Sequence, residues 1–327
     1  MSAGSQRGLP TSLWPTPTQR LLLAAWLAED GPARRAWAEA RAAIDIDRLE
    51  PGTFALTPLL YRRLETWGAE DPLLPKLKGL YRHSWTRNQL LLGQLKTIAH
   101  AFASAEIDML AAGGCLLVGG FYGEPALRPL DRLDLLVHQA DAVAAAAHLQ
   151  SLGWSAARAS DLSRLERLPA VWFSRGEGRV VVLRTRIFPP EVSPWDDRIV
   201  FELDGIQCGG LSGARQLLWT CLGDDRHQIW GRVQWLSDLR ALVENDPGPD
   251  WERVLKDTET LRAGLPVRDA LTYARELQIG IPPPVLERLE AVPARTRERI
   301  GHRVGRWERN GVAGKLVRRI SNQPLRI

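Results

Sequence analysis

Apolar residues in the first hundred positions recur at helical spacing. Leu60, Leu64 and Trp67 lie four and three apart, and Leu77, Tyr81 and Trp85, then Leu91, Leu95, Ile98 and Phe102, carry the same period onward. Ahead of them, Gln19–Leu27 and Ala33–Ala43 are rich in Ala and Leu, with Pro32 placed to open the second helix and Thr57-Pro58 placed just before the third. Residues 1–17, with Gly, Ser, Thr and Pro, read as a loose leader.

At Gly113-Gly114 the period changes. The runs CLLVGG (115–120) and RLDLLV (132–137) read as short strands joined by a Gly- and Pro-bearing loop. The second carries Leu133, Leu135 and Val137 on one face and Arg132, Asp134 and Leu136 on the other. An Ala-rich helix over 141–152 stops at Gly153. Strands are then predicted at 170–175, 179–187 and 199–209, with turns at Gly176–Gly178 and Asp204-Gly205. Helical spacing returns after Ser212, a candidate cap, and persists through Val233, Leu236 and Leu239 and through 251–261, 267–277 and 285–289.

Composition narrows the class. A chain of 327 residues with 45% apolar and 25% charged residues is long enough for two or three packed units. Three cysteines without CxxC spacing indicate neither a disulfide framework nor a zinc site, and a reducing cytoplasm is the expected location. The longest N-terminal apolar run, from Leu21, is too short to cross a bilayer. Among 43 basic residues 38 are arginine, a bias expected of a GC-rich bacterial genome. The net charge of +5 is unevenly placed: residues 294–327 hold ten basic and two acidic side chains, a net +8, which leaves the body at −3. Weak contact of this tail with an anionic membrane or polyanion is one expectation, and packing against the acidic body is the other.

The stretch from Val118-Gly119-Gly120 to Arg132-Leu133-Asp134-Leu135 resembles the signature of the nucleotidyltransferase superfamily that includes polymerase β and the minimal nucleotidyltransferases. Further matches, from TPLLYRRL (57–64) through EPALRP (124–129) to the helical run beginning RVQWLSDL (232–239), are similar to a bacterial branch of uncharacterised nucleotidyltransferase-like proteins. The resemblance implies an α+β fold: a nucleotidyltransferase-like mixed-sheet core at 113–211, between an N-terminal helical domain at 18–112 and a C-terminal helical domain at 212–292. A basic amphipathic tail at 293–327 follows.

The resemblance also implies a chemistry. Gly119 and Gly120 would let backbone amides approach a triphosphate. Two acids spaced two apart on a strand would share divalent ions, and a third acid on a neighbouring strand would complete the set. The sequence departs from this pattern. Arg132 stands at the first acidic position and only Asp134 keeps its place as a metal ligand. Asp131 is three residues from Asp134, so on a regular strand it leaves on the opposite face. The later acid–apolar–His pattern is matched by Val182-Leu183-Arg184.

Three functional readings follow. In the first, the protein is a catalytically impaired relative whose Arg132, Arg184 and Arg186 bind a nucleotide or other anionic ligand, or whose cleft holds a protein partner, as an accessory factor in a bacterial biosynthetic or secretion pathway. It needs no cofactor. In the second, Asp134 and Asp131 act with Mg²⁺ to move a nucleotide from an NTP to an acceptor. In the third, the Trp-rich helical parts are a protein-binding scaffold. His227 and Asp238 are further candidates, either lining the cleft or tying two helices together as a buried polar pair.

Overall fold

A computed structural model of the chain describes residues 15–165, 167–176, 178–222 and 231–292. The leader (to residue 14) and the basic tail (293–327) therefore lie outside the described residues.

Helix α1 (Pro17–Leu27) is opened by a reciprocal cap: the Thr16 side chain accepts from the Gln19 N–H at 3.2 Å, and the Gln19 side chain accepts from the Thr16 N–H at 3.0 Å. Helix α2 (Asp30–Ala43) begins three residues before the Ala-rich run suggested. Helix α3 (Pro51–Thr66) corrects a second boundary, because it starts at Pro51 and runs through Pro58. Pro58 has no N–H for the Phe54 carbonyl four residues back, and the Thr57 hydroxyl donates to that oxygen instead, at 2.8 Å. Helix α4 (Leu74–Ser104) is one element of 31 residues, burying Leu77, Leu91, Leu95, Ile98 and Phe102.

The segment expected as the first strand is a helix. Strand β1 is Met109–Ala112, and Gly113–Gly120 forms α5. Gly113, at φ +59, turns the chain out of the sheet, and its N–H donates to the Gln216 side-chain oxygen at 2.9 Å. Every residue from Gly113 to Val118 is buried, so the run is apolar on all sides and carries no period that separates strand from helix.

The remaining elements follow the expected order, with a two-residue strand and a four-residue helix added between 155 and 162. They are β2 (Leu133–Val137), α6 (Ala142–Ser151), β3 (Ser155–Ala156), α7 (Ala159–Leu162), β4 (Ala170–Arg175), β5 (Arg179–Arg184), β6 (Ile199–Leu203) and β7 (Ile206–Gly210). After these come α8 (Gly213–Leu222), α9 (Gly231–Val243), α10 (Trp251–Thr260), α11 (Gly264–Glu276) and α12 (Pro283–Ala291). Among the described residues no helix is long and apolar enough to cross a membrane.

The architecture is α+β. The described strands form one mixed seven-stranded sheet in the order β3-β4-β5-β2-β1-β7-β6, with β2 parallel to β5 and β1 parallel to β7. Its register aligns Ala112, Asp134, Val182 and Trp172 in one row across four strands. The adjacent row on the opposite face, Ala111, Leu135, Leu183 and Val171, is wholly buried and apolar. The pleat thus gives the sheet one face for the core and one for chemistry.

The loop between α5 and β2 is pinned from two sides. On α4, the Asn88 side-chain oxygen accepts from the Leu130 N–H at 2.9 Å while its amide donates to the Arg128 carbonyl at 2.7 Å. Ser84 donates to the Ala126 carbonyl at 2.7 Å. On α9, Gln234 donates to the Pro129 carbonyl at 3.3 Å. Glu124 closes the contact, accepting from Arg62 at 3.0 Å and from the Tyr81 hydroxyl at 2.6 Å. Burial pushes the Glu124 carboxyl up, but the hydrogen bonds from Arg62 and Tyr81 outweigh it and hold the carboxyl below its ordinary 4.5. Burial, with the Glu124 bond, pushes the Tyr81 hydroxyl up to about 12. The lowered acid stabilises the fold above pH 4.5 and loses that contribution as pH falls through its folded value. The raised phenol stabilises below pH 10.0 and loses its contribution as pH rises towards about 12. Urea melts across pH are therefore expected to show an alkaline loss of stability that is smaller in Tyr81→Phe.

Candidate functional site

Asp134 lies in the middle of the sheet with 1% of its surface exposed. An isolated carboxylate there would be costly to keep ionised, and two guanidiniums meet it. Arg132, two residues earlier, donates from Nε to Oδ2 at 2.8 Å. Arg184, near the end of the parallel neighbour β5, donates from Nε to Oδ1 at 2.9 Å, with its Nη2 at 2.9 Å from the same oxygen. Both carboxylate oxygens are thereby engaged. Each guanidinium also lies against an indole ring, Arg132 over Trp172 at 5.2 Å and Arg184 over Trp219 at 5.1 Å from the ring centroid. Trp172 is in the same sheet row as Asp134, and α8 brings Trp219.

A second buried cluster lies at the turn from β1 into α5. Arg128 grips Asp238 on α9 with both arms, Nε to Oδ1 at 2.7 Å and Nη2 to Oδ2 at 2.9 Å, and the Tyr122 hydroxyl donates to Oδ1 at 2.9 Å. Burial raises the Tyr122 hydroxyl well above its ordinary value, and the Asp238 charge adds to this. The Arg128 guanidinium passes so close to Gly114 that a Cβ there would meet its Nη1 at 2.3 Å. Glycine at 114 is thus what admits the arginine.

The structure separates the other expected site residues. Gly119 and Gly120 end α5 against the Phe201 ring, away from the β1–α5 turn, where Gly113 and Gly114 stand. Arg186 lies past the end of β5 and is exposed, so only Arg132 and Arg184 of the expected arginine trio meet Asp134. Asp131 precedes β2. Burial raises its carboxyl above the ordinary value, against the lowering influence of Arg132 and Arg128. Asp238 ties α9 to the loop before β2, and His227 lies outside the described residues. Reading along the chain missed Gly113, Gly114, Arg128, Trp172 and Trp219. The Gly113-Gly114 pair was visible as a change of period, whereas the stacking of the two tryptophans on arginines had no linear signal.

This donor set is a poor match for magnesium, which requires oxygen ligands in octahedral array. In sheet register with Asp134 stand Ala112 and Val182, and Arg132 holds the expected first ligand position. Among the described residues no three His, Cys, Asp or Glu side chains converge. The Cys115 thiol beneath the cluster is pushed up to about 12 by burial and by Asp134, so it is no nucleophile at neutral pH.

Comparison with known sequences assigns this fold to a family. The sequence model of a family described as "Uncharacterised nucleotidyltransferase" matches residues 54–278, more than half of the chain. The chain belongs to this family. No curated protein matches it. Among solved structures, it is similar to the antibiotic-resistance factor ANT(2'')-Ia, with 14% identity, 58% of this chain and 99% of that one covered, and a TM-score of 0.40. It is also similar to an antigenic nucleotidyltransferase-like protein from Paracoccidioides brasiliensis, with 17% identity, 63% and 95% covered, and a TM-score of 0.34. At these scores neither likeness bears on function.

Within this nucleotidyltransferase-family chain, the Arg132–Asp134–Arg184 cluster has a measurable consequence. Asp134→Asn would leave two guanidiniums buried against a neutral amide. The variant is expected to lose about 3–5 kcal/mol of unfolding free energy in urea titration.

Proposed function

We propose that this protein is a catalytically impaired member of the nucleotidyltransferase family, one that binds an anionic ligand instead of transferring a nucleotide. The observation that supports this most is the state of Asp134, whose two oxygens accept from Arg132 and Arg184. With both oxygens of this carboxylate engaged by buried guanidiniums, a shared metal pair would have to displace the arginines, and Val182 occupies the sheet position beside it. Without paired metals the charge developing on a transferred phosphoryl group lacks its main stabiliser.

The chemistry left beside Asp134 is that of arginine. Guanidinium forks suit phosphate and carboxylate oxygens, and an entering anion would compete with the Asp134 carboxylate for them. Such exchange fits an accessory factor that senses or carries a nucleotide or other phosphorylated compound. A role beside a biosynthetic or secretion pathway of a bacterial cell is consistent with this reading.

The test joins metal binding to turnover. Calorimetry with Mn²⁺ is expected to reveal no micromolar site, and labelled NTPs with Mg²⁺ or Mn²⁺ are expected to give no transfer to protein, water or added hydroxyl acceptors. Nucleotide should raise the melting temperature to the same extent with and without Mg²⁺, and less in Arg184→Met. Arg132→Asp combined with Val182→Glu should create a Mn²⁺ site that disappears when Asp134→Ala is added. A Mn²⁺ site in the unmodified chain that Asp134→Ala abolishes would overturn the proposal and favour the enzyme reading.

A further inference from the structure

The two edges of the sheet are unequal. At one end β3 has only two residues, Ser155–Ala156, which is too short to template another strand. At the other end β6 runs for five residues, Ile199–Leu203, and pairs on one side only, with β7.

The hairpin geometry says which of its backbone groups face outward. Asp204 and Gly205, at φ +45 and +82, form a two-residue turn, so Leu203 and Ile206 are a hydrogen-bonded pair. Alternation along an antiparallel ladder then directs the N–H and C=O groups of Phe201 and Ile199 to β7, and those of Val200 and Glu202 away from the sheet. Among the described residues nothing pairs with these outward groups. Val200 itself is 64% exposed, the most exposed large apolar residue among those described.

This edge is self-complementary about Phe201. Laid antiparallel on a two-fold axis through that residue, β6 of one copy sets Val200 opposite Glu202 of the other, so the two outward residues form reciprocal hydrogen-bonded pairs. The same register places Arg198 opposite Asp204. Arg198 is half exposed and pairs with Asp108, and Asp204, 69% exposed, pairs with Lys96 at 3.5 Å. Each junction therefore brings an arginine and a lysine to two aspartates in alternating order, and opposite charges across strands favour that register. On the other face each Phe201 ring already packs over Gly119, Gly120 and Gly210, so the axis passes between two rigid positions.

We infer that β6 is a homodimer interface, joining two copies through antiparallel β6–β6 pairing centred on Phe201 into one continuous sheet. The second copy is the occupant indicated because Arg198 and Asp204 are placed symmetrically about the axis. An unrelated extended peptide would have no such constraint. The contact is short, which puts it in the class of reversible, micromolar association.

Sedimentation of the full chain over a range of concentrations tests the inference, with Val200→Pro as the variant. Proline at an outward edge position removes a donor that β7 does not use, so the monomer fold is expected to survive while the dimer is lost. Arg198→Glu should weaken association. Register is read separately by mixing Val200→Cys and Glu202→Cys proteins under mild oxidation. The mixture should form an intermolecular disulfide faster than either protein alone, and the native Cys115, Cys208 and Cys221 are all buried. Should Val200→Pro fail to fold, the cross-linking result decides by itself. A monomer at every concentration, a dimer indifferent to Val200→Pro, or cross-linking that is no faster in the mixture would each overturn the inference.

Discussion

A carboxylate buried at the centre of a sheet must either hold metal, be protonated or meet opposite charge, and in this protein Asp134 meets two arginines. The rest of the polar face is arranged around that constraint. Arg132 and Arg184 are themselves too deeply buried to be left to solvent, and each has an indole ring beside it, Trp172 from the sheet and Trp219 from α8. The result is a series of ring, cation, anion, cation and ring across the middle of the sheet. In a low-dielectric interior the three charged members depend on one another, because removing one leaves an uncompensated charge.

The same logic joins the helical parts to the sheet. Asp238 comes from α9, Arg128 from the loop before β2, and their two-armed ion pair lies over Gly114 at the start of α5. Asn88 and Ser84 of α4 take the carbonyls and an N–H of that loop, so an irregular segment is held nearly as firmly as a strand. The loop that positions β2 is therefore a product of both flanking helical regions. Family membership describes this scaffold, while the chemistry belongs to the side chains it presents. Here those side chains are one carboxylate, Asp134, and two guanidiniums, Arg132 and Arg184.

Much of the architecture could be read along the chain. The 3.6-residue period placed α4, and the alternation around Asp134 placed β2 with Arg132 and Asp134 on one face and Leu133, Leu135 and Val137 on the other. Glycine turns located the β4–β5 and β6–β7 hairpins, and Ser212 marked the start of α8, its hydroxyl accepting from the Arg215 N–H at 3.4 Å. Two local readings failed for physical reasons. A uniformly buried apolar run has no period, so α5 read as a strand. A proline reads as a stop unless a neighbouring hydroxyl can satisfy the carbonyl it orphans, as Thr57 does within α3.

Of the site, the sequence by itself determined the order of side chains: Arg132 and Asp134 two apart on one face of a strand, and Val182-Leu183-Arg184 on a later strand. These follow from covalent order and strand periodicity, which are local. Only the tertiary structure decided that Arg184 rather than Arg186 reaches Asp134. It also decided that Gly113-Gly114 rather than Gly119-Gly120 forms the turn after β1, and that Asp238 is spent on Arg128. Each of these is a contact between residues fifty or more positions apart, or depends on whether an unpatterned apolar run folds as strand or helix. Such choices are set by sheet register and by the need to pair buried charges across elements, which no local pattern encodes.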